Sequence, residues 1–132
     1  EALRSRIDFF PLQDFINLQR LIAAVDINIA PLQNNFFTHC KSELKYFEAA
    51  AVGTWTLASR TPNFERAVPT PRRGGLVDPP DWDAALAGAV DLVRNPAVHA
   101  PMAAANAEEV AEIYGWDKFS GAIQAAVLRD GI

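Results

Sequence analysis

Apolar positions along the chain alternate between short runs and helical stripes, a pattern that predicts an α/β protein. Residues 1–6 read as the tail of a helix. They lead into Ile7-Asp8-Phe9-Phe10, a short apolar strand ended by Pro11, which cannot donate to a sheet ladder. Gln13-Asp14-Phe15 makes a loop and the start of a helix. From Ile16 the apolar residues Leu18, Leu21, Ile22 and Val25 recur at helical spacing. Asp26-Ile27-Asn28-Ile29-Ala30 then reads as a strand closed by Pro31. The next stretch, 32–40, is rich in turn formers and aromatic residues and reads as a loop.

Residues 41–59 organise the rest of the pattern: one helix, a glycine stop at Gly53, and a buried strand Thr54-Trp55-Thr56-Leu57-Ala58. Ser42 is placed to cap the helix, and Glu43 falls in its first turn, where negative charge suits the helix dipole. At about 100° per residue, Lys41, Lys45 and Glu48 share one stripe, with Leu44, Phe47 and Ala51 on an apolar stripe beside it. The alanines at 49, 50 and 51 favour helix. Residues 60–67 read as a second loop at a strand end, followed by a Pro-, Arg- and Gly-rich stretch from 68 to 75. Leu76-Val77 fits a short edge strand. Asp81 is placed to cap a helix over 82–93, 95–101 reads as a break, and helices over 102–113 and 116–128 are separated near Gly115. The fold expected is a parallel sheet with helices on both faces, incomplete at its N-terminal edge.

Composition narrows the function classes. The 132 residues fit one domain, and half of them are hydrophobic, enough for a core and too many for disorder. A net charge of −4 argues against a general nucleic-acid binder. Cys40 is the single cysteine, so no internal disulfide forms, and a reducing cytoplasm is the expected location. No apolar run reaches the roughly 20 residues of a membrane span, and no secretory signal opens the chain. His39 and His99 are too far apart to suggest a local metal motif. No nucleophile elbow is present, and neither is the glycine fingerprint of nicotinamide binders.

The candidate chemistry gathers before and within the central helix. In α/β sheets ligands bind beyond the carboxyl ends of the strands, so loop 32–40 and the amides around Cys40–Glu43 are placed to form a pocket that attracts anions. Glu48 can accept from two adjacent hydroxyls at once. The plainer reading makes Lys45 and Glu48 an ordinary surface ion pair. Arg60, Arg66 and Arg72-Arg73-Gly74-Gly75 carry no committed role, the last reading as an exposed turn. Trp55, Trp82 and Trp116 read as core or interface residues.

Ser42-x-x-Lys45-x-x-Glu48-Ala49-Ala50-Ala51-x-Gly53, followed by Leu57-Ala58-Ser59, resembles the donor-site segment of retaining, group 1 glycosyltransferases of the GT-B fold. Three more stretches are similar to that family: Ala24 to Leu32, Gly74-Gly75-Leu76-Val77-Asp78-Pro79 with Asp81 and Ala85-Leu86, and Tyr114-Gly115-Trp116. The likeness runs through essentially the whole chain. It implies a Rossmann-like, N-terminally truncated piece of the C-terminal, donor-binding domain, spanning 1–132 and lacking the acceptor domain. It also implies a nucleotide-diphosphate sugar as substrate, with no other cofactor and no metal.

By the same resemblance Glu48 bonds the donor ribose, and Ser42, Lys45, Lys41, Cys40 and Glu43 stand at the donor site. Many relatives carry a second, sugar-binding glutamate at the position held here by Cys40. The parent enzyme would then be a hexosyltransferase acting on an acceptor that the sequence does not name. The piece alone would be inactive, because the family's diphosphate-clamping basic residues precede its start. Self-association through an exposed sheet edge is open to such a piece. Two alternatives stand beside this reading: a GT-B nucleotide-sugar epimerase or phosphorylase, which would share the fold and the ribose-binding glutamate, and a non-catalytic α/β interaction domain such as a receiver-like module, for which Asp26 sits at the wrong end of its strand.

Overall fold

The computed structural model describes residues 4–68 and 70–129. Its centre is a three-stranded parallel sheet in the order β1 (Ile27–Ala30), β2 (Trp55–Ser59), β3 (Gly74–Val77). The register pairs Ile27 with Trp55 and Ala30 with Ala58 on one side of β2, and Thr56 with Gly74 and Ser59 with Val77 on the other. Parallel strands need crossovers, and helices supply them: α2 (Phe36–His39) and α3 (Leu44–Ala50) link β1 to β2, and α4 (Pro62–Ala67) links β2 to β3. Helix α1 (Phe15–Ala23) precedes β1, while α5 (Trp82–Val93), α6 (Pro96–Tyr114) and α7 (Trp116–Arg129) follow the sheet. The α/β expectation holds, with a sheet covered on both faces.

Side-chain alternation along the strands explains the two cores. On one face Ala30 and Ala58 meet Tyr46 and Ala50 of α3, Phe64 and Ala67 of α4, Val68, and Val110 of α6. On the other, Trp55, Leu57 and Val77 meet Ala89 of α5, with Trp82, Leu86 and Met102 packed around them. Central β2 is buried at every position. At Gly74 the strands run so close that a Cβ would lie 2.6 Å from the Thr56 carbonyl oxygen. Gly53 has φ +79°, the left-handed geometry that ends α3 and turns the chain into β2.

Several expected elements differ. Residues 7–10 form no strand; Ile7, Phe9 and Phe10 are exposed, because no described strand pairs with them and a lone strand leaves its amides without partners. Of residues 1–6, a single 3-10 turn at Arg4–Arg6 is seen, and 1–3 lie outside the described residues. Loop 32–40 contains α2, started by an Asn35–Thr38 capping box. Residues 62–67 are helical too, with Pro62 at the first position and the Thr61 hydroxyl accepting from the Phe64 amide at 3.4 Å. The break at 95–101 shrinks to Arg94-Asn95, and α6 runs through Pro101 at the cost of one hydrogen bond to Ala97. Asp81 stands at the N-cap of α5, but its side chain makes no capping bond.

The central helix starts later than its sequence suggests. It begins at Leu44 with Glu43 at the N-cap, so Ser42 is not the cap and Lys41 lies outside the helix. Its buried face is Tyr46, Ala49 and Ala50, while Leu44 and Ala51 are exposed and Phe47 is half-buried. Alanine is what lets α3 lie close against Ala30 and Ala58. Phe47 instead packs at a tilt against Tyr114 of α6, ring centroids 4.2 Å apart and ring planes 47° to each other. Arg73 is no exposed turn residue: its side chain is 12% exposed and forks onto Glu109 of α6. Trp116, expected in the core or an interface, is 72% exposed.

The Tyr46 hydroxyl is fully buried and donates to Asn106 Oδ1 at 2.9 Å. Burial pushes its pKa up to about 12. The folded chain therefore holds this proton more tightly than the unfolded chain. The stability it contributes is complete below the ordinary tyrosine value of about 10, and is lost as pH rises through about 12. Tyr46→Phe should cost about 1–3 kcal/mol at neutral pH, since Asn106 Oδ1 is left buried without its donor. It should also flatten the alkaline loss, which urea denaturation of both proteins from neutral to alkaline pH measures.

Candidate functional site

The carboxyl ends of the three strands form one rim. β1 runs out into Pro31 and Leu32, β2 into Arg60, and β3 into Asp78. An open cleft of about 470 Å³ lies there, lined by Pro31, Leu32, Gln33, Asn34, Ser59, Pro79 and Trp82. Local folding fixes most of these groups. Ser59 is buried, and its Oγ accepts from the Leu32 amide at 2.8 Å, which ties the outgoing loop of β1 to the end of β2. Trp82 opens α5, directly after the Pro79–Asp81 turn.

Beside the cleft the cations are already engaged. The Arg60 Nε lies 3.1 Å from both carboxylate oxygens of Asp78, and a guanidinium nitrogen lies 3.5 Å from Glu65. These contacts, the Asp78 hydrogen bond first, raise the Arg60 pKa above its ordinary value. Arg66 donates to Asn63 Oδ1. Asn63 in turn holds the loop before α3: its amide nitrogen donates to the His39 carbonyl at 2.8 Å and to the Lys41 carbonyl.

Each residue singled out from the sequence has a definite place. Cys40 is exposed and closes α2, its amide donating to the Phe37 and Thr38 carbonyls. The Lys41 amide donates to Thr38, so two of the amides expected to attract anions are consumed by that helix end. Lys41 Nζ sits 4.8 Å over the Phe37 ring, a cation–π contact. Ser42 is exposed, and the Glu43 carbonyl accepts from the Tyr46 amide at 2.8 Å. Lys45 is exposed, and its carbonyl accepts from Asn28 at 3.1 Å.

Glu48 is half-buried and lies roughly 150° around α3 from the middle of the buried face, counting about 100° per residue. It does not line the rim cleft. Among the described residues the Lys45–Glu48 ion pair of the plainer reading is absent. The structure thus gathers 40–43 into one link and leaves Glu48 apart from the cleft.

Set against protein-family models, curated proteins and solved structures, the chain matches none. Among the described residues no group of acidic, His or Cys side chains could hold a metal ion. No helix there is long and apolar enough to cross a membrane.

Sequence reasoning gave no site role to Ser59, Pro79 or Trp82, which line the cleft, or to Asn63, which holds the loop before α3. The position of Ser59, last in a buried strand and next to Arg60, was the signal that could have pointed there. Asn63 had no such signal, since its partners are backbone carbonyls more than 20 residues upstream. Asn63→Ala should release two loop carbonyls and cost about 1–2 kcal/mol. Arg60→Met breaks only exposed ion pairs and should cost under about 1 kcal/mol. Chemical denaturation of the two variants should preserve that order.

Proposed function

We propose that the chain binds the nucleotide part of a nucleotide-diphosphate sugar, as part of the donor-binding domain of a group 1 glycosyltransferase. The observation that carries this reading is the rim cleft. The three strands and their helices form one βαβαβ unit, the half-sheet that binds a mononucleotide in doubly wound folds, and ligands of such sheets sit beyond the carboxyl ends of the strands. The resemblance around residues 41–59 supplies the substrate class and the proposed role of Glu48 as ligand to the ribose hydroxyls. A carboxylate and an ammonium with no partner among the described residues, Glu48 and Lys45, are open to a ligand.

In the parent enzyme, transfer would rest on electrostatic support of the departing diphosphate by amides and cations rather than on a protein nucleophile. Arg60 is neutralised by two carboxylates, and Lys41 is held over Phe37. The rim therefore brings little uncommitted positive charge to that task. The isolated chain is accordingly proposed to bind donor weakly and to transfer no sugar.

Titration with uridine and guanosine diphosphates by calorimetry tests the reading. The parent chain should bind one of them, and Glu48→Ala should weaken that binding by about tenfold, in keeping with loss of a charge-assisted hydrogen bond. Equal binding by both proteins would remove Glu48 from the site. Sugar transfer by the isolated chain would overturn the account of catalysis.

A further inference from the structure

The rim cleft has a chemistry of its own. Its lining residues, Pro31, Leu32, Gln33, Asn34, Ser59, Pro79 and Trp82, include no lysine, arginine or histidine. A diphosphate entering it would give up hydration with no cation to replace it, a large penalty for an ion. A flat, uncharged ring meets the opposite situation. Trp82 offers an aromatic surface, Pro31 and Pro79 add apolar rings, and the volume of about 470 Å³ falls within the range of small-molecule sites.

Hydrogen-bonding capacity is present at the same place. Ser59 is 6% exposed, and its Oγ already accepts from the Leu32 amide, which leaves the hydroxyl proton to donate. No described acceptor takes it. The Gln33 side chain is exposed and makes no hydrogen bond among the described residues, although its backbone carbonyl accepts from Thr38. Asn34 differs, because its Oδ1 is engaged by His39. A buried hydroxyl donor and an adaptable amide beside an indole are what the carbonyl-bearing edge of a nucleobase requires.

We propose that this cleft is the base subsite of the nucleotide. The heterocycle stacks on Trp82, Ser59 and Gln33 bind its edge, and the ribose and diphosphate lie outside the cleft. The proposal rests on the donor-binding reading above, and adds which part of the ligand enters the cleft and which residues choose among bases.

The test uses the whole chain with uridine, guanosine, their diphosphates and inorganic pyrophosphate as separate probes. Binding is read by calorimetry and by the Trp82 indole N–H resonance. The indole resonance should shift with a nucleoside and stay in place with pyrophosphate. Trp82→Leu should weaken nucleoside binding by about tenfold, the scale of one base–aromatic stack. Trp82 also packs against the core around Trp55, so Gln33→Ala, at an exposed side chain, serves as a second variant. It should weaken one nucleoside more than the other and so change the ratio of their affinities.

A nucleoside that binds without moving the indole resonance, and equally well to Gln33→Ala, overturns the base subsite. The donor reading then survives if Glu48→Ala still weakens the diphosphates. Nucleoside binding through Trp82 combined with indifference to Glu48→Ala keeps the subsite and removes the ribose role of Glu48. Absence of binding by every probe overturns both.

Discussion

The hydrogen bond from the Tyr46 hydroxyl to Asn106 holds this fold in one arrangement. Both side chains are buried, and neither could stay there unpaired, because a buried polar group without a partner forfeits its hydration. Asn106 satisfies its other end by donating to the Arg73 carbonyl at 3.2 Å, and Arg73 turns its guanidinium onto Glu109 one helical turn further along α6. The chain of contacts joins α3, α6 and the approach to β3. It sets the rotation of α6 about its own axis, which places Val110 against one core and Met102 against the other. A network of this kind is rigid only when every member is satisfied.

Small residues do the rest on the same face. Ala30, Ala49, Ala50 and Ala58 are all fully buried, so α3 lies close to the sheet with little side-chain volume between them. The opposite face uses bulk instead, with Trp55 and Leu57 under α5. Glycine at 74 permits the approach of β3 to the Thr56 carbonyl that a side chain would block. Once these faces are fixed, the strand ends have one arrangement open to them. Ser59 fastens the loop after β1, Arg60 fastens the loop after β3 through Asp78, and the cleft lies between.

That construction separates two kinds of chemistry. Positive charge near the rim is engaged within the chain: Arg60 is paired with Asp78 and Glu65, and Lys41 lies over the Phe37 ring. The cleft is neutral, lined by one indole, two prolines and a leucine beside three hydrogen-bonding side chains. Glu48 and Lys45 stand elsewhere on α3, outside the cleft. The site expected from the sequence ran from loop 32–40 and the Cys40–Glu43 amides onto Lys45 and Glu48 of one helix; the folded molecule has a rim cleft and, outside it, two unengaged charges.

Local sequence determined the elements whose signals are local. Asp14 caps α1, Gly53 stops α3, Ile27 to Ala30 and Trp55 to Ser59 are strands, and residues 82–93 are a helix with the expected limits. Each is fixed by propensity, periodicity or a backbone geometry that one residue type supplies. Tertiary structure decided what depends on partners distant in the chain. Residues 7–10 have strand-like composition but no strand beside them. The buried face of α3 became Tyr46, Ala49 and Ala50, because Asn106, 60 residues away, receives the tyrosine hydroxyl. The rim cleft joins residues 31–34, 59, 79 and 82, which become neighbours only when parallel strands align their carboxyl ends. Periodicity cannot report such a meeting, since it depends on register between strands rather than on order along one.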